Sequence, residues 1–460
     1  MTARSLSHPL PAMEGTGADT VSEPVPVALK TMRLDSVFWS HFSPNLGPGG
    51  WVTGVLLVHL GLDFRWGLAA ILVGNLVGAL PVALAAAIGP RTGLPQMESS
   101  RRALGRSGLR LPAFLNWIYC IGWDAVNNVP AAAALIALVA TIGLGPPFWL
   151  ALGLLAAVQM VASIYGHDMV QALQKYLGGL LLVVLGAIGL LVVVRAGGVP
   201  VAAHPPSIAV FVLATAILAS FNLSWASYSS DYTRYLPADT APSKVVWLAM
   251  AGLVGSAIPF QLLGLLTAGG IGEASPVAVI ASLQHASGVL GPVVLAGIAL
   301  SSITGNSVND NTASYSLISA GIRVPRVLAA IVTASLGYVL AVAGAGHYAD
   351  LYASYLVVTL YWIAPWIGIV LADWYLVRRT HEADPAPDPP GWTLGATIFL
   401  VTAVLTIALF STSDLYTGPV ARLLGGADIG YYVGFLAAGL WYAAAARFAR
   451  AKPVKTGIPA

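Results

Sequence analysis

Charge is scarce in this chain: only 9% of its 460 residues are Asp, Glu, Lys or Arg, where an average soluble domain carries roughly 25%. A soluble fold of this length needs a charged surface, whereas lipid tails make an apolar surface the stable one. With 57% of the residues hydrophobic, an ordinary water-soluble protein is excluded. The formal net charge of +3 is too small for a nucleic-acid-binding surface. Cys120 is the single cysteine, which excludes an intrachain disulfide and a multi-cysteine metal site and reads as a small buried hydrophobe. His-Glu-x-x-His is absent, as is a Gly-x-Ser-x-Gly on an apolar run, so an intramembrane enzyme lacks a catalytic constellation. No cofactor and no obligate protein partner is called for; the expected partners are a small molecule and membrane lipid. Residues 1–35 are polar and Pro-rich without the order of a cleaved signal peptide, so they and residues 451–460 are expected to be cytosolic tails, the first disordered.

What the chain has instead is apolar runs. Crossing roughly 30 Å of hydrocarbon takes about twenty apolar residues in helix. Such runs lie near 37–60, 66–90, 112–140, 146–165, 171–195 and 207–229, then near 245–269, 288–312, 326–344, 350–377, 392–411 and 428–447. The expectation is an all-α membrane protein with twelve transmembrane helices over residues 36–450. Basic residues are retained on the cytoplasmic side, and an inside N-terminus puts all but Arg65, Arg195 and Arg422 of the 22 Lys and Arg there. An even span number with both ends cytosolic in the inner or plasma membrane follows. The Arg101-Arg-Ala-Leu-Gly-Arg106 run is read as part of this topology signal, meeting anionic head groups.

Two runs carry interruptions. The first contains Ser43-Pro-Asn-Leu-Gly-Pro-Gly-Gly50, where Pro removes backbone donors and Gly removes the penalty for nonhelical angles. The sixth has a polar centre, Ser220-Phe-Asn-Leu-Ser-Trp-Ala-Ser-Tyr-Ser-Ser-Asp231. In secondary transporters, substrate and coupling ion bind where helices break near the bilayer midplane. The two breaks are five spans apart, an odd separation that makes the second set enter from the opposite side. This is the arithmetic of an inverted repeat, with repeat one over 36–196, repeat two over 206–380 and an appended pair over 390–450.

The third and eighth runs complete the candidate site. Gly122-Trp-Asp-Ala-Val-Asn-Asn128 places Trp123 and Asn127 four apart on one helical face, so an aromatic plane and an amide can meet one ligand. A planar heterocycle suits them, its face stacking on Trp and its edge read by amides. Ser301-Ser-Ile-Thr-Gly-Asn-Ser-Val-Asn-Asp-Asn-Thr312 gathers oxygen-bearing side chains able to hold Na⁺. Asp124 is a carboxylate at mid-membrane, costly unless paired, protonated or facing water. Its readings are a proton carrier, a structural acid, or a sodium or substrate contact, and Asp310 shares them. Asn45, in the first break, joins the candidate substrate contacts.

Five segments resemble the nucleobase-cation-symport-1 permeases for cytosine, purines, allantoin and hydantoins. They are Phe38-Trp-Ser-His-Phe-Ser-Pro-Asn-Leu46, Gly89-Pro-Arg-Thr-Gly-Leu-Pro-Gln-Met97, Gly122-Trp-Asp-Ala-Val-Asn127, Asp231-Tyr-Thr-Arg-Tyr-Leu-Pro237 and Tyr361-Trp-Ile-Ala-Pro-Trp-Ile-Gly-Ile-Val-Leu-Ala-Asp-Trp-Tyr375, the last followed by Arg378-Arg379. The resemblance implies a leucine-transporter-like five-plus-five inverted repeat with two extra helices. It implies Trp123 as the stacking residue, Asn127 as the amide one turn later, and a second aromatic position aligning on Asn222, with Phe221 and Trp225 beside it. Sodium-coupled members carry two hydroxyl residues just before a substrate-binding Asn; here these are Ser307 and Val308 before Asn309. Valine offers no oxygen, so a sodium site would rest on Ser307 and Thr304, with Asn311 in a shifted register. Asp124 stands where a small residue is expected and tilts the reading toward H⁺. The implied activity is import of a nucleobase by H⁺ or Na⁺ symport through alternating access. An allantoin, hydantoin or thiamine-precursor permease is the alternative, and a channel or receptor the rival class.

Overall fold

A computed structural model describes residues 21–195, 205–272, 275–378, 389–413 and 416–451. Most of the two expected tails, residue 196 closing the first expected repeat, and Arg379 with residue 380 closing the second lie outside the described residues.

The first apolar run is built from α1 (Asp35–Phe42) and α2 (Pro48–His59). Between them Ser43–Asn45 forms a 3-10 turn and Gly47 is extended (φ −148°, ψ 178°). Pro44 and Pro48 cannot donate to a helical ladder, so the break expected from the sequence is where the prolines put it. Asp63 caps α3 (Phe64–Ala86), its carboxylate accepting from Trp66 N at 2.9 Å. The short helices α4 (Gly89–Thr92) and α5 (Gln96–Ser99) lead into α6 (Arg101–Ala140). This helix bends at Gly105 (φ 75°), where a Cβ would lie 2.0 Å from Gly391 O. Next come α7 (Phe148–Tyr165), α8 (His167–Arg195) and α9 (Ile208–Leu223), which ends in a 3-10 turn, Ser224–Ser227, before α10 (Ser229–Thr233). The second half holds α11 (Pro242–Thr267), α12 (Pro276–Ser287), α13 (Gly291–Ser319), α14 (Arg326–Gly344) and α15 (Tyr348–Leu371), which runs on as a π-helical segment, Ala372–Val377. After α16 (Leu394–Phe410), strands β1 (Thr412–Ser413) and β2 (Tyr416–Thr417) pair antiparallel ahead of α17 (Pro419–Leu423) and α18 (Gly430–Ala451).

Helix thus covers the apolar runs expected from the sequence. Among the described residues, nine helices are long and apolar enough to cross a membrane, and α16 is a shorter apolar one. Leu72, Val73, Leu76, Val77 and Leu80 of α3 form an exposed stripe, stable against lipid and costly against water.

Small residues bring the broken elements close. A Cβ on Gly54 of α2 would fall 1.9 Å from Gln261 O, and one on Gly264 of α11 would fall 2.1 Å from Trp51 O. The reciprocal glycines let the two backbones touch. At the centre α13 lies along α6, and every residue from Ser301 to Ser319 is buried. Its oxygen-rich sequence is therefore tolerated because protein surrounds it, not lipid.

The disorder expected for residues 1–35 does not extend over 21–35. Val25 N donates to Gly93 O at 2.9 Å, Lys30 Nζ to Pro90 O at 2.9 Å and Met32 N to Tyr235 O at 3.0 Å. Val21 is buried with Tyr315 and Ile318, and Ser22 O accepts from Arg101 at 2.6 Å. Backbone pairing and a buried valine hold a segment whose Pro-rich composition argued for none.

Candidate functional site

A cavity opens between the two breaks and the middles of α6 and α13. Its unfilled space, counted out through the open mouth, is about 700 Å³. Asn45, Trp123, Asn127, Phe221, Trp225 and Asn309 all line it, with Tyr119, Tyr228 and the glycines of the first break.

The aromatic walls are held in place. Tyr119 and Tyr355 pack edge-on against Trp123 with centroids at 6.1 and 5.6 Å, and the Tyr355 hydroxyl donates to Tyr119 O. Gly122 gives Tyr355 room, since a Cβ there would lie 2.4 Å from its ring. Trp225 Nε1 donates to Asn45 Oδ1 at 2.9 Å, while Asn45 Nδ2 donates to Ser256 Oγ at 3.2 Å. Asn45 is thus a positioning residue as well as part of the wall. Asn127 Nδ2 donates to Asn306 Oδ1 at 2.8 Å, a bond that leaves its own oxygen as an acceptor for a ligand.

Asn222 does not reach the cavity. It is fully buried and donates to Asn75 Oδ1 at 2.7 Å, while Asn75 donates to Gln261 Oε1. Of the three residues among which the resemblance left a contact shared, Phe221 and Trp225 line the cavity and Asn222 points from α9 toward α3.

The expected cation residues divide. Thr304 Oγ1 donates to Ser301 O at 2.7 Å and lies 3.4 Å from Ser43 O, and Ser307 Oγ donates to Thr304 O at 3.1 Å. Gln174 of α8 donates its amide N–H to Thr304 O at 2.9 Å and to Ser307 Oγ at 3.5 Å. The amide donor thus meets the Thr304 backbone carbonyl and approaches the Ser307 hydroxyl, while the Thr304 hydroxyl keeps its acceptor lone pairs. Asn311 does not join this group by hydrogen bond; its Oδ1 accepts from Arg326 Nη1 at 2.8 Å. Asp124 and Asp310 are both fully buried, and their carboxyl groups meet across the α6–α13 contact. Asn309 Nδ2 donates to Asp124 Oδ1 at 2.6 Å and to Cys120 O at 2.5 Å, and its Oδ1 accepts from Tyr228 at 2.5 Å. Among the described residues, no group of three or more His, Cys, Asp or Glu is placed to hold a metal ion.

Sequence reasoning missed Tyr119, Tyr228 and Gln174. Tyr119 stands four before Trp123 and Tyr228 three after Trp225, on shared helical faces; Gln174 is a polar residue in an apolar run, with no spacing signal to name its partner.

A profile of permeases for cytosine/purines, uracil, thiamine and allantoin matches residues 24–434. The chain belongs to this family. It is a multi-pass membrane permease of the nucleobase-cation-symport-1 type and not an enzyme, as the five resembling segments implied. The permease is 29% identical to YxlA of Bacillus subtilis (strain 168) over 428 residues, 89% of this chain and 92% of that one. It is 25% identical to the purine-cytosine permease FCY21 of Saccharomyces cerevisiae, covering 85% of this chain and 79% of that one. Its fold is that of Mhp1, a nucleobase-cation-symport-1 family transporter solved in a closed conformation with bromovinylhydantoin bound: the TM-score is 0.77 at 16% identity, over 94% of this chain and 96% of that one.

Proposed function

We propose that this permease imports cytosine or a purine by proton symport through alternating access. The observation that carries the reading is the cavity between the two helix breaks, with aromatic planes (Trp123, Trp225, Phe221) and amide edges (Asn127, Asn309, Asn45) on one lining. A flat heterocycle with alternating donors and acceptors is the ligand that uses both surfaces.

The proposed architecture is twelve transmembrane helices: α1 with α2 counts as one span and α9 with α10 as another. Five-plus-five inverted repeats and an appended pair, α16 and α18, follow the leucine-transporter pattern. Both termini lie in the cytosol, beneath the inner or plasma membrane. The lining residues Tyr119, Trp123 and Asn127 of α6 and Ser301, Gly305 and Asn309 of α13 lie about the middles of these helices, the depth at which transporters of this kind seat their substrate. H⁺ is favoured over Na⁺ because Gln174 already donates to Thr304 O and Ser307 Oγ.

The test is uptake of radiolabelled cytosine, adenine, hypoxanthine, uracil and allantoin by vesicles holding the purified protein, under imposed H⁺ or Na⁺ gradients. Saturable accumulation of cytosine or a purine with H⁺ is expected. Accumulation of allantoin alone would move the substrate, accumulation driven by Na⁺ would move the ion, and flux without accumulation would make the protein a channel.

A further inference from the structure

We propose that Asp124 and Asp310 hold one proton between them, that this shared proton is the coupled ion, and that Asn309 reports its presence to the base. The proposal rests on the reading of the chain as a proton-coupled importer.

Both carboxyl groups are fully buried. Asp124 Oδ1 accepts from Asn309 and Asp310 has the Ser163 hydroxyl beside it, but Asp124 Oδ2 and the remaining acceptor capacity of Asp310 find no other donor. They face each other's carboxyl group instead. Carboxylate oxygens only accept, so this contact is a hydrogen bond when at least one of the two carries a proton and a repulsion when neither does. Two buried like charges cannot share such a site without a cation.

Among the described residues, the surrounding groups supply none. Within α6 stand Tyr119 and Cys120, with the Cys120 thiol 3.3 Å from the Tyr228 hydroxyl of the sixth-run break. From α15 comes Tyr355 and from α10 Asp231, which accepts from Gln96 N at 2.7 Å and Thr312 at 2.6 Å. The Ser163 hydroxyl of α7 lies near Asp310, 3.1 Å from Gln159 O and 3.2 Å from Ser307 O. From α8 comes Gln174, while the neighbouring Lys175 turns to Asp35 at 2.8 Å. Arg326 of α14 reaches α13 at Asn311 and the carbonyls of Ser163 and Ile164, not at Asp310. A proton is the cation that fits this pair.

Asn309 connects the pair to the cavity that it lines with Tyr228. While Asp124 Oδ1 is unprotonated, the Asn309 amide nitrogen is held toward it and the amide oxygen toward Tyr228. A proton held between Asp124 Oδ2 and Asp310 takes negative charge from Asp124 and weakens the hold of Oδ1 on the Asn309 N–H, so the amide can turn toward the cavity. The edge presented to the base therefore differs between the two protonation states, and coupling between the sites is reciprocal. No bond other than O–H and hydrogen bonds changes; the proton enters from water and leaves to water.

The experiment combines infrared difference spectroscopy with vesicle uptake, for the wild type, Asp124→Asn and Asp310→Asn. The wild type is expected to show a protonated-carboxyl stretch near neutral pH that cytosine perturbs. Each variant should shift or lose that band, lose accumulation driven by a pH gradient, and bind base with an affinity no longer dependent on pH. Either variant alone suffices if the other does not fold. A wild type without the band, or a variant that accumulates base on a pH gradient as the wild type does, overturns the proposal while leaving the permease function in place. A band that both variants shift or lose, in a protein that moves no base, keeps the shared proton and overturns the functional reading.

Discussion

The indole N–H of Trp225 donates to Oδ1 of Asn45 at 2.9 Å, so the break in the first apolar run orients the aromatic plane supplied by the break in the sixth. Asn45→Ala removes that acceptor and leaves the ring to choose its own rotamer. A net hydrogen bond is worth about 0.5–1.5 kcal/mol, so the KM for base should rise roughly two- to tenfold with little change in maximal rate. Uptake kinetics across a concentration series would show it.

Trp123 has more to lose. Stacking of a base on an aromatic ring is worth roughly 1–3 kcal/mol by alanine substitution, about 5- to 150-fold in affinity. Trp123→Ala should weaken base binding by that range, and Trp123→Phe should recover part of it. Thermal-shift titration with cytosine or adenine reads both variants without a transport assay.

Asn222 separates structure from recognition. Its amide ties α9 to Asn75 of α3, behind the cavity wall. Asn222→Ala leaves buried polar groups unpaired at a cost of about 1–3 kcal/mol. Thermal stability should fall while the base affinity of the folded fraction stays as it was. A changed affinity with unchanged stability would return Asn222 to the lining.

Much of this was legible in the sequence, and the parts that were not share a cause. Pro44, Gly47 and Pro48 announce the first break because they alter the backbone itself, and the apolar runs announce helices because lipid leaves no other choice. Trp123 and Asn127 could be paired because a helix places residues four apart on one face. Which of Phe221, Asn222 and Trp225 turns inward stayed open in the sequence, because all three stand at a helix end, where the local angles decide. Gln174 and the Asp124–Asp310 contact join distant helices, and no local spacing encodes them. The order of residues 21–35 escaped notice for the same reason, since Gly93, Arg101 and Tyr235 hold the segment from elsewhere in the chain.

Sodium supplies a separate check. Gln174 donates toward the Thr304 and Ser307 oxygens, so replacing KCl by NaCl at constant ionic strength should not raise the melting temperature of the wild type. A bound ion would raise it through mass action. A sodium-specific rise that Ser307→Ala abolishes would place the ion at those hydroxyls after all.

Outside the spans, Glu98 of α5 is buried with Arg101 at 3.4 Å. Burial raises its pKa above the ordinary glutamate value, although Ser319 and Arg101 oppose the rise. A raised folded value means that the stability contributed by Glu98 is fully present below the unfolded value and is lost as pH rises through the folded one. Glu98→Gln should raise the melting temperature by roughly 1–3 °C near neutrality and leave it unchanged in acid. Thermal unfolding in detergent across a pH series tests the sign.

The central claim is that a base seated between the two breaks crosses together with a proton. It is tested most directly by a pH-sensitive dye trapped inside vesicles that hold the purified protein, with no gradient imposed and cytosine or adenine added outside. Acidification of the interior on adding base, absent with an amino acid and absent in Asp124→Asn, is the predicted result. Entry of labelled base with no change in internal pH would contradict it.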